Sequence, residues 1–247
     1  MGLAAIFLWN YVGTETVMAT VLITGTNRGI GLEFVKQYLK RGNKVLATCR
    51  DPQQANELSM LASTDSSLQL FSLDISEESS MGELAEQLSD QAIDIFINNA
   101  GVYGPRNASF GNVNVEDWEP VMRVNAIAPF LLTQRIIGSL RRGRDKKLVY
   151  ITSKMGSIDD NQGGGSYIYR SSKTALNSIV RSLSVDLAGD GFSVAVMHPG
   201  WVLTDMGGPN ALIDTITSVS GLIGVIDGLS LDKSGQFFNY DGNTIAW

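Results

Sequence analysis

The sequence predicts an α/β fold, a doubly wound parallel sheet with helices on both faces, and three observations predict it. Short apolar, β-branched runs alternate with stretches whose apolar residues recur at helical spacing along most of the 247 residues. The first of these runs passes directly into a glycine-rich turn that opens a helix. No Pro- or Ser-rich linker divides the chain, so a single domain is expected over 18–247, with strands buried from both sides.

"TVLIT" (Thr20–Thr24) is the first strand, because β-branched side chains suit a pleated, buried surface. The first helix follows over 30–39. "KVLAT" from Lys44 and "LQLFSL" from Leu68 are the second and third strands; a polar helix over 77–88 then leads to the fourth, "IDIFIN" from Ile93. One long helix is expected over 116–140, ahead of the fifth strand, "KLVYIT" from Lys147. A further helix over 167–187 leads to "FSVAVM" from Phe192. Right-handed crossovers between such strands place a ligand beyond their carboxyl ends, where the strand order reverses. The stretch "MGGPNALIDTITSVSGLIG", within 202–229, is apolar and punctuated by glycine, and reads as a mobile lid over that place.

Composition excludes several classes. With 19 basic and 25 acidic side chains, a net charge of −6 and a pI near 4.8, the chain lacks the basic footprint that phosphate backbones require, so no nucleic-acid partner is expected. The basic cluster "RRGRDKK" from Arg141 falls where a helix ends, and cations there complement the carbonyl terminus. A lone cysteine, Cys49, permits no internal disulfide and suits a reducing, cytoplasmic setting. Residues 1–17 include an apolar run too short for the roughly 20 residues that span a bilayer, without a basic flank before it; they are expected to lie outside the fold, and no membrane partner is expected.

The glycine turn is "TGTNRGIG" (24–31). Gly25 permits a tight turn, Gly29 a close approach of backbone to a pyrophosphate and Gly31 close packing of helix on strand, while the helix amino terminus offers N–H donors to an anion. A dinucleotide site is therefore expected here, with a purely structural turn as the alternative. The second strand ends in "ATCRDP", so Arg50 stands where NAD sites place an acidic residue, and Arg28 lies inside the glycine turn. Two guanidiniums suit a 2′-phosphate, which predicts NADP(H) over NAD(H); Asp51, one residue on, is the group that would reverse this. Asp74 closes the third strand in "SLDI" and faces either the adenine edge or a helix N-cap. "NNAG" closes the fourth, with Asn98 and Gly101 placed either to fix a cofactor or merely to turn the chain.

"SYIYRSSKTA" holds two tyrosines and a lysine. Tyr169 and Lys173, four apart, share a helix face; Tyr167 and Lys173, six apart, do not. A neighbouring ammonium favours the phenolate, bringing a tyrosine toward the range useful for general acid–base work. Alone, the pair is equally a core tyrosine and a surface lysine. Ser153 ends the fifth strand at the ligand edge, and Asn125 interrupts a helix for which Asn is poorly suited.

"TGTNRGIG", "NNAG", Asn125, Ser153, "YRSSK" and "HPGWVLTDM", in this order, resemble the short-chain dehydrogenase/reductases, over about 20–247. The resemblance implies a Rossmann-type fold and an NADP-linked oxidoreductase. It makes Tyr169 the general acid–base, Ser153 the group that orients the substrate oxygen, and Lys173 the ribose ligand that lowers the tyrosine's pKa. Asn125 would link the lysine to a proton-relay water, and Thr204 would meet the carboxamide. The implied cofactor site also takes in Asn27, Ile30, Ile75, Ala100, Pro199, Gly200 and Val202, with no metal. Sixteen residues separate Ser153 from Tyr169 where thirteen are usual, the excess lying in "NQGGGS"; this and the ending "NYDGNTIAW" resemble the C-factor-like subgroup, which includes carbonyl reductases. His198 reads as structural. Tyr103, Met155, Trp201 and Met206 are candidate walls for a small apolar carbonyl or alcohol substrate. A non-catalytic dinucleotide sensor on the same fold is the main alternative. The resemblance leaves a homo-oligomer open.

Overall fold

The computed structural model describes residues 18–247. Seven parallel strands form one sheet. They are β1 (Thr20–Thr24), β2 (Lys44–Cys49), β3 (Leu68–Ser72), β4 (Ile95–Asn98), β5 (Lys147–Ile151), β6 (Ser193–His198) and β7 (Gln236–Asn239), in the order β3-β2-β1-β4-β5-β6-β7. The order reverses between β1 and β4, so a crevice opens beyond the carboxyl ends of those two strands, the place expected for a ligand.

Strand residues alternate between two cores, one on each face of the sheet. Val21 and Ile23 of β1 join Phe34, Val35 and Tyr38 of helix α1 (Gly29–Lys40), while Leu22 joins Phe96, Leu148 and Tyr150 on the other side. Both faces are dry, which is why the strands read as continuous apolar runs. Between the strands lie α2 (Asn56–Thr64), α3 (Glu78–Gln87), α4 (Val115–Met122), α5 (Ala128–Arg142) and α6 (Tyr167–Asp186). Helix α7 (Thr215–Asp227) precedes β7.

The elements named in the sequence are present, with three differences. The helix expected over 116–140 is two α-helices joined by a π turn at Arg123–Ile127, with Asn125 inside it. Such one-turn widenings concentrate at functional sites because they displace a helix's regular hydrogen bonds. The lid expected within 202–229 is only partly a loop. Its second half is α7, which buries Val219, Leu222, Ile223 and Ile226 against the core, each worth about 1.5–3 kcal/mol. The Asp214 carboxylate caps that helix by accepting from Thr217 N at 2.7 Å. Helix α2 and strand β7 went unread. Residues 1–17, expected outside the fold, lie outside the described residues; among those described, no helix is long and apolar enough to cross a membrane.

The basic cluster serves a helix carbonyl terminus, but that of α7 rather than of the helix it ends, and an ion pair. Arg141 meets Asp190 at 2.8 Å, and the Lys147 ammonium donates to the carbonyls of Ile226 and Asp227 at the end of α7.

Candidate functional site

A cleft of about 540 Å³ lies along the carboxyl edge of the sheet. Its floor is the glycine turn. Gly25 has φ +70°, and a Cβ there would sit 2.9 Å from Ala100 Cα, so only glycine lets the turn pass under the end of β4. Asn99 ties the two together: its side-chain amide donates to the carbonyls of Thr24 at 2.9 Å and Gly25 at 3.0 Å. Thr24 Oγ1 accepts from the backbone N–H of Asn99 and of Ala100, each at 3.0 Å. Asn27, Arg28, Gly29, Ile30, Gly31, Arg50, Asp74, Ile75, Ala100, Gly101, Tyr169, Lys173, Pro199 and Thr204 all border this cleft. Asn98 does not. It is buried, 1% exposed, with its side-chain nitrogen lacking a hydrogen-bond partner among the described residues; Asn99 is the amide at the cleft. Sequence alone could not separate adjacent asparagines, since only strand alternation decides which one faces out.

At the far end of the cleft, Asp51 is engaged elsewhere. Its carboxylate caps the short turn at Pro52–Gln54, accepting from the backbone N–H of Gln53 and Gln54 and from the Gln54 side chain. Arg50 and Arg28 stay on the cleft wall, and the Arg28 guanidinium reaches Asp205 at 2.8 Å. Asp74 is neither an N-cap nor a bare carboxylate: it accepts from the N–H and hydroxyl of Ser76, at 2.9 and 2.6 Å, which holds its carboxyl below the usual range.

A second cleft of about 480 Å³ adjoins the first, bordered by Tyr103, Arg106, Ser153, Met155, His198, Trp201 and Met206. Gly200 and Val202, expected on the cofactor side, border this one instead, because the chain turns away from the sheet after Pro199. His198, expected to be structural, also stands on this wall. Burial and the nearby Lys154 charge push its pKa down to about 4, so it is neutral at pH 7.

Tyr169 borders both clefts. It is held there by the fixed seat of α6 on the segment after β5. Thr152 Oγ1 meets the Asn177 side-chain oxygen at 2.7 Å, and the Gly156 carbonyl accepts from Thr174 Oγ1 and Asn177 Nδ2. A Cβ on Gly156 would lie 2.9 Å from the Lys173 backbone, so this approach too requires glycine. The extra residues between Ser153 and Tyr169 form an exposed loop. Tyr167, which does not share a helix face with Lys173, is 40% exposed and borders neither cleft.

Lys173 is buried, donates to the Ile151 carbonyl at 3.0 Å and lies over the Tyr169 ring, 5.9 Å from its centre. Burial pushes its pKa down to about 8. The lowering expected for Tyr169 is not what the structure has: burial pushes the phenol up to about 12, against a smaller downward pull from the Ser153 hydroxyl. Desolvation of a phenolate here outweighs what the Ser153 hydrogen bond returns. Asn125 is 1% exposed; its amide accepts from Val102 N at 2.9 Å and donates to the Val102 carbonyl at 2.8 Å and Ser172 Oγ at 3.0 Å. It therefore braces the segment after β4 against α6, with its side chain within 3.2 Å of where a Gly101 Cβ would stand.

The family model for short chain dehydrogenases matches residues 19–212. The chain belongs to the short-chain dehydrogenase family. It is 34% identical to the carbonyl reductase Sniffer of D. melanogaster, with a TM-score of 0.89 over 93% of this chain and 100% of that one. An NADPH-bound carbonyl reductase from chicken fatty liver is 36% identical, with a TM-score of 0.87 over 93% and 99%. C-signal of Myxococcus xanthus is 43% identical over 167 residues, 68% of this chain and all of that protein.

Proposed function

We propose that residues 18–247 form one catalytic domain, an NADP(H)-dependent oxidoreductase acting on a small apolar carbonyl or alcohol. The observation that carries this reading is the position of Tyr169, the one phenol among the described residues that borders both the glycine-floored cleft and the apolar-walled one. The first cleft suits a phosphorylated dinucleotide: the Asp51 carboxylate is turned away, Arg50 borders the cleft where a 2′-phosphate would be held, and the Arg28 guanidinium would join it on leaving Asp205. Bound there, NADP(H) supplies the hydride.

The chain's own residues do the rest. Ser153 Oγ, at the carboxyl end of β5, holds the substrate oxygen. Tyr169 gives that oxygen its proton, and its high pKa keeps the phenol protonated at neutral pH, the form carbonyl reduction needs. Lys173 binds the ribose and, once a substrate oxygen gains charge, its ammonium over the ring stabilises the tyrosinate that forms. Asn125 holds the segment after β4 so that Gly101 lies beside Lys173. Met155, Trp201 and Met206 give the second cleft an apolar lining.

The test is a titration of NADPH against NADH, then a panel of aromatic and aliphatic carbonyls with Tyr169→Phe as control. Binding tighter for NADPH and turnover lost in the variant is the expected result; a panel that leaves NADPH absorbance unchanged overturns it. The 43% identity with C-signal, across the whole of that protein, favours a second reading, a signalling protein on this fold. A Tyr169→Phe chain that complements a deletion strain as well as wild type would select that reading.

A further inference from the structure

Tyr103 has no task in the mechanism above, yet its placement is specific. Its ring stacks on that of Tyr169, centroids 4.4 Å apart and planes at 25°. Its hydroxyl lies 3.3 Å from Ser166 Oγ, at the residue that immediately precedes α6 and adopts the left-handed conformation, φ +47°. The Arg106 guanidinium lies over the Tyr103 ring at 5.5 Å and donates to the carbonyls of Asp205 and Met206 at 3.2 and 3.0 Å. Three segments therefore converge on one ring: the loop after β4, the start of α6 and the loop after β6.

A tyrosine's hydroxyl swings through several ångströms if its first side-chain torsion is free, and proton transfer tolerates little of that. On Tyr169 the backbone is fixed by α6, but the ring borders two open clefts and needs a surface to lie against. Tyr103 is that surface, and it is itself pinned at both ends, by Ser166 at the hydroxyl and by Arg106 across the ring.

We propose that Tyr103 is a positioning residue for Tyr169, setting the plane of the proton-donating ring and shielding its hydroxyl from water, so that the stack and not the helix alone aligns the phenol with Ser153. This rests on Tyr169 being the proton donor. The charged and titratable groups around the phenol are Lys173 on α6, Tyr103 and Arg106 from the loop after β4, His198 at the end of β6, and the Lys154–Asp160 pair across the second cleft. Tyr103 is among those that hold the Tyr169 pKa up.

The experiment compares Tyr103→Phe, Tyr103→Leu and Tyr103→Ala with wild type in carbonyl reduction across pH, with NADPH affinity measured alongside. Phe keeps the stack and stays within about threefold of wild type in kcat; Leu and Ala lose it and fall about tenfold, while NADPH affinity is unchanged. Reduction needs the protonated phenol, so its rate falls above the Tyr169 pKa. Water admitted by Ala lowers that pKa, and the alkaline fall moves to lower pH. A merely structural residue would not move that limb. Wild-type kcat and pH profile in Leu and Ala, or an equal loss in all three variants, overturns the proposal. If Ala does not fold, Leu carries the comparison. If wild type turns over no carbonyl, the oxidoreductase reading fails and the stack is judged from ultraviolet titration of tyrosinate in Tyr103→Leu with and without Tyr169→Phe: an unchanged Tyr169 titration overturns it, an altered one supports it.

Discussion

The two clefts that share Tyr169 are built from different materials. The larger is floored by backbone: the glycine turn, the Asn99 amide clamped on Thr24 and Gly25, and the N–H groups after β4. The smaller is walled by side chains from loops, Tyr103, Arg106, Met155, Trp201 and Met206. Backbone geometry tolerates almost no substitution, whereas a wall of side chains changes with each one. The difference separates a floor that resists substitution from a wall that can be rebuilt, and four variants test it.

The largest effect falls on the group common to both. Tyr169→Phe removes the proton donor of the proposed mechanism, and turnover drops by about 10²–10⁴-fold with NADPH affinity retained, read by steady-state kinetics and fluorescence titration. Next is the backbone floor. Gly25→Val forces a branched side chain into φ +70° against Ala100; NADPH binding is lost and thermal stability falls by about 1–3 kcal/mol, checked by calorimetry. Preserved binding would show that the floor is more pliant than its contacts imply. At the phosphate end, Arg50→Ala weakens NADPH about tenfold and leaves NADH nearly unchanged, narrowing the preference between them. Smallest is the side-chain wall: Met206→Ala changes KM among apolar carbonyls by about 10-fold or less and leaves kcat close to wild type.

His198 adds a pH dependence that sharpens the picture of the second cleft. Its folded pKa, about 4, lies below the ordinary 6.5, so the unfolded chain binds more protons between those values. Stability from this group is complete above about pH 6.5 and is lost as pH falls toward 4. His198→Gln flattens the melting temperature over that window.

The same division explains what was legible in the sequence. Strands of Val, Ile and Leu buried on both faces announce themselves as apolar runs, and the glycine turn, Ser153, Tyr169 and Lys173 follow from spacing because strands and helices carry residues to predictable edges. Asn99 was hidden behind Asn98 by a one-residue alternation. Helix α7 escaped because "TITSVSGLIGVID" is rich in glycine and β-branched residues; what makes it a helix is burial of Val219, Leu222 and Ile226 and the cap from Asp214. The Asp214 to Thr217 spacing was the signal available. Arg106 and Asp205 carry no pattern at all, since their partners lie 99 and 177 residues away. The opposite shift of Tyr169 was unreadable for the same reason: burial is a property of the packed whole, whereas the neighbouring lysine is visible in four letters.

The lacing between the segment after β5 and helix α6 has a mechanical meaning. Thr152 and Asn177, Gly156 and Thr174 join the backbones that carry Ser153 and Tyr169 into one stiff block, so breathing of the loops around the clefts reaches the phenol only through the Tyr103 ring that supports it and leaves the two anchors beneath in place. Such a part works like the frame of a caliper: the frame keeps its length, and the one adjustment left is the tilt of a single jaw.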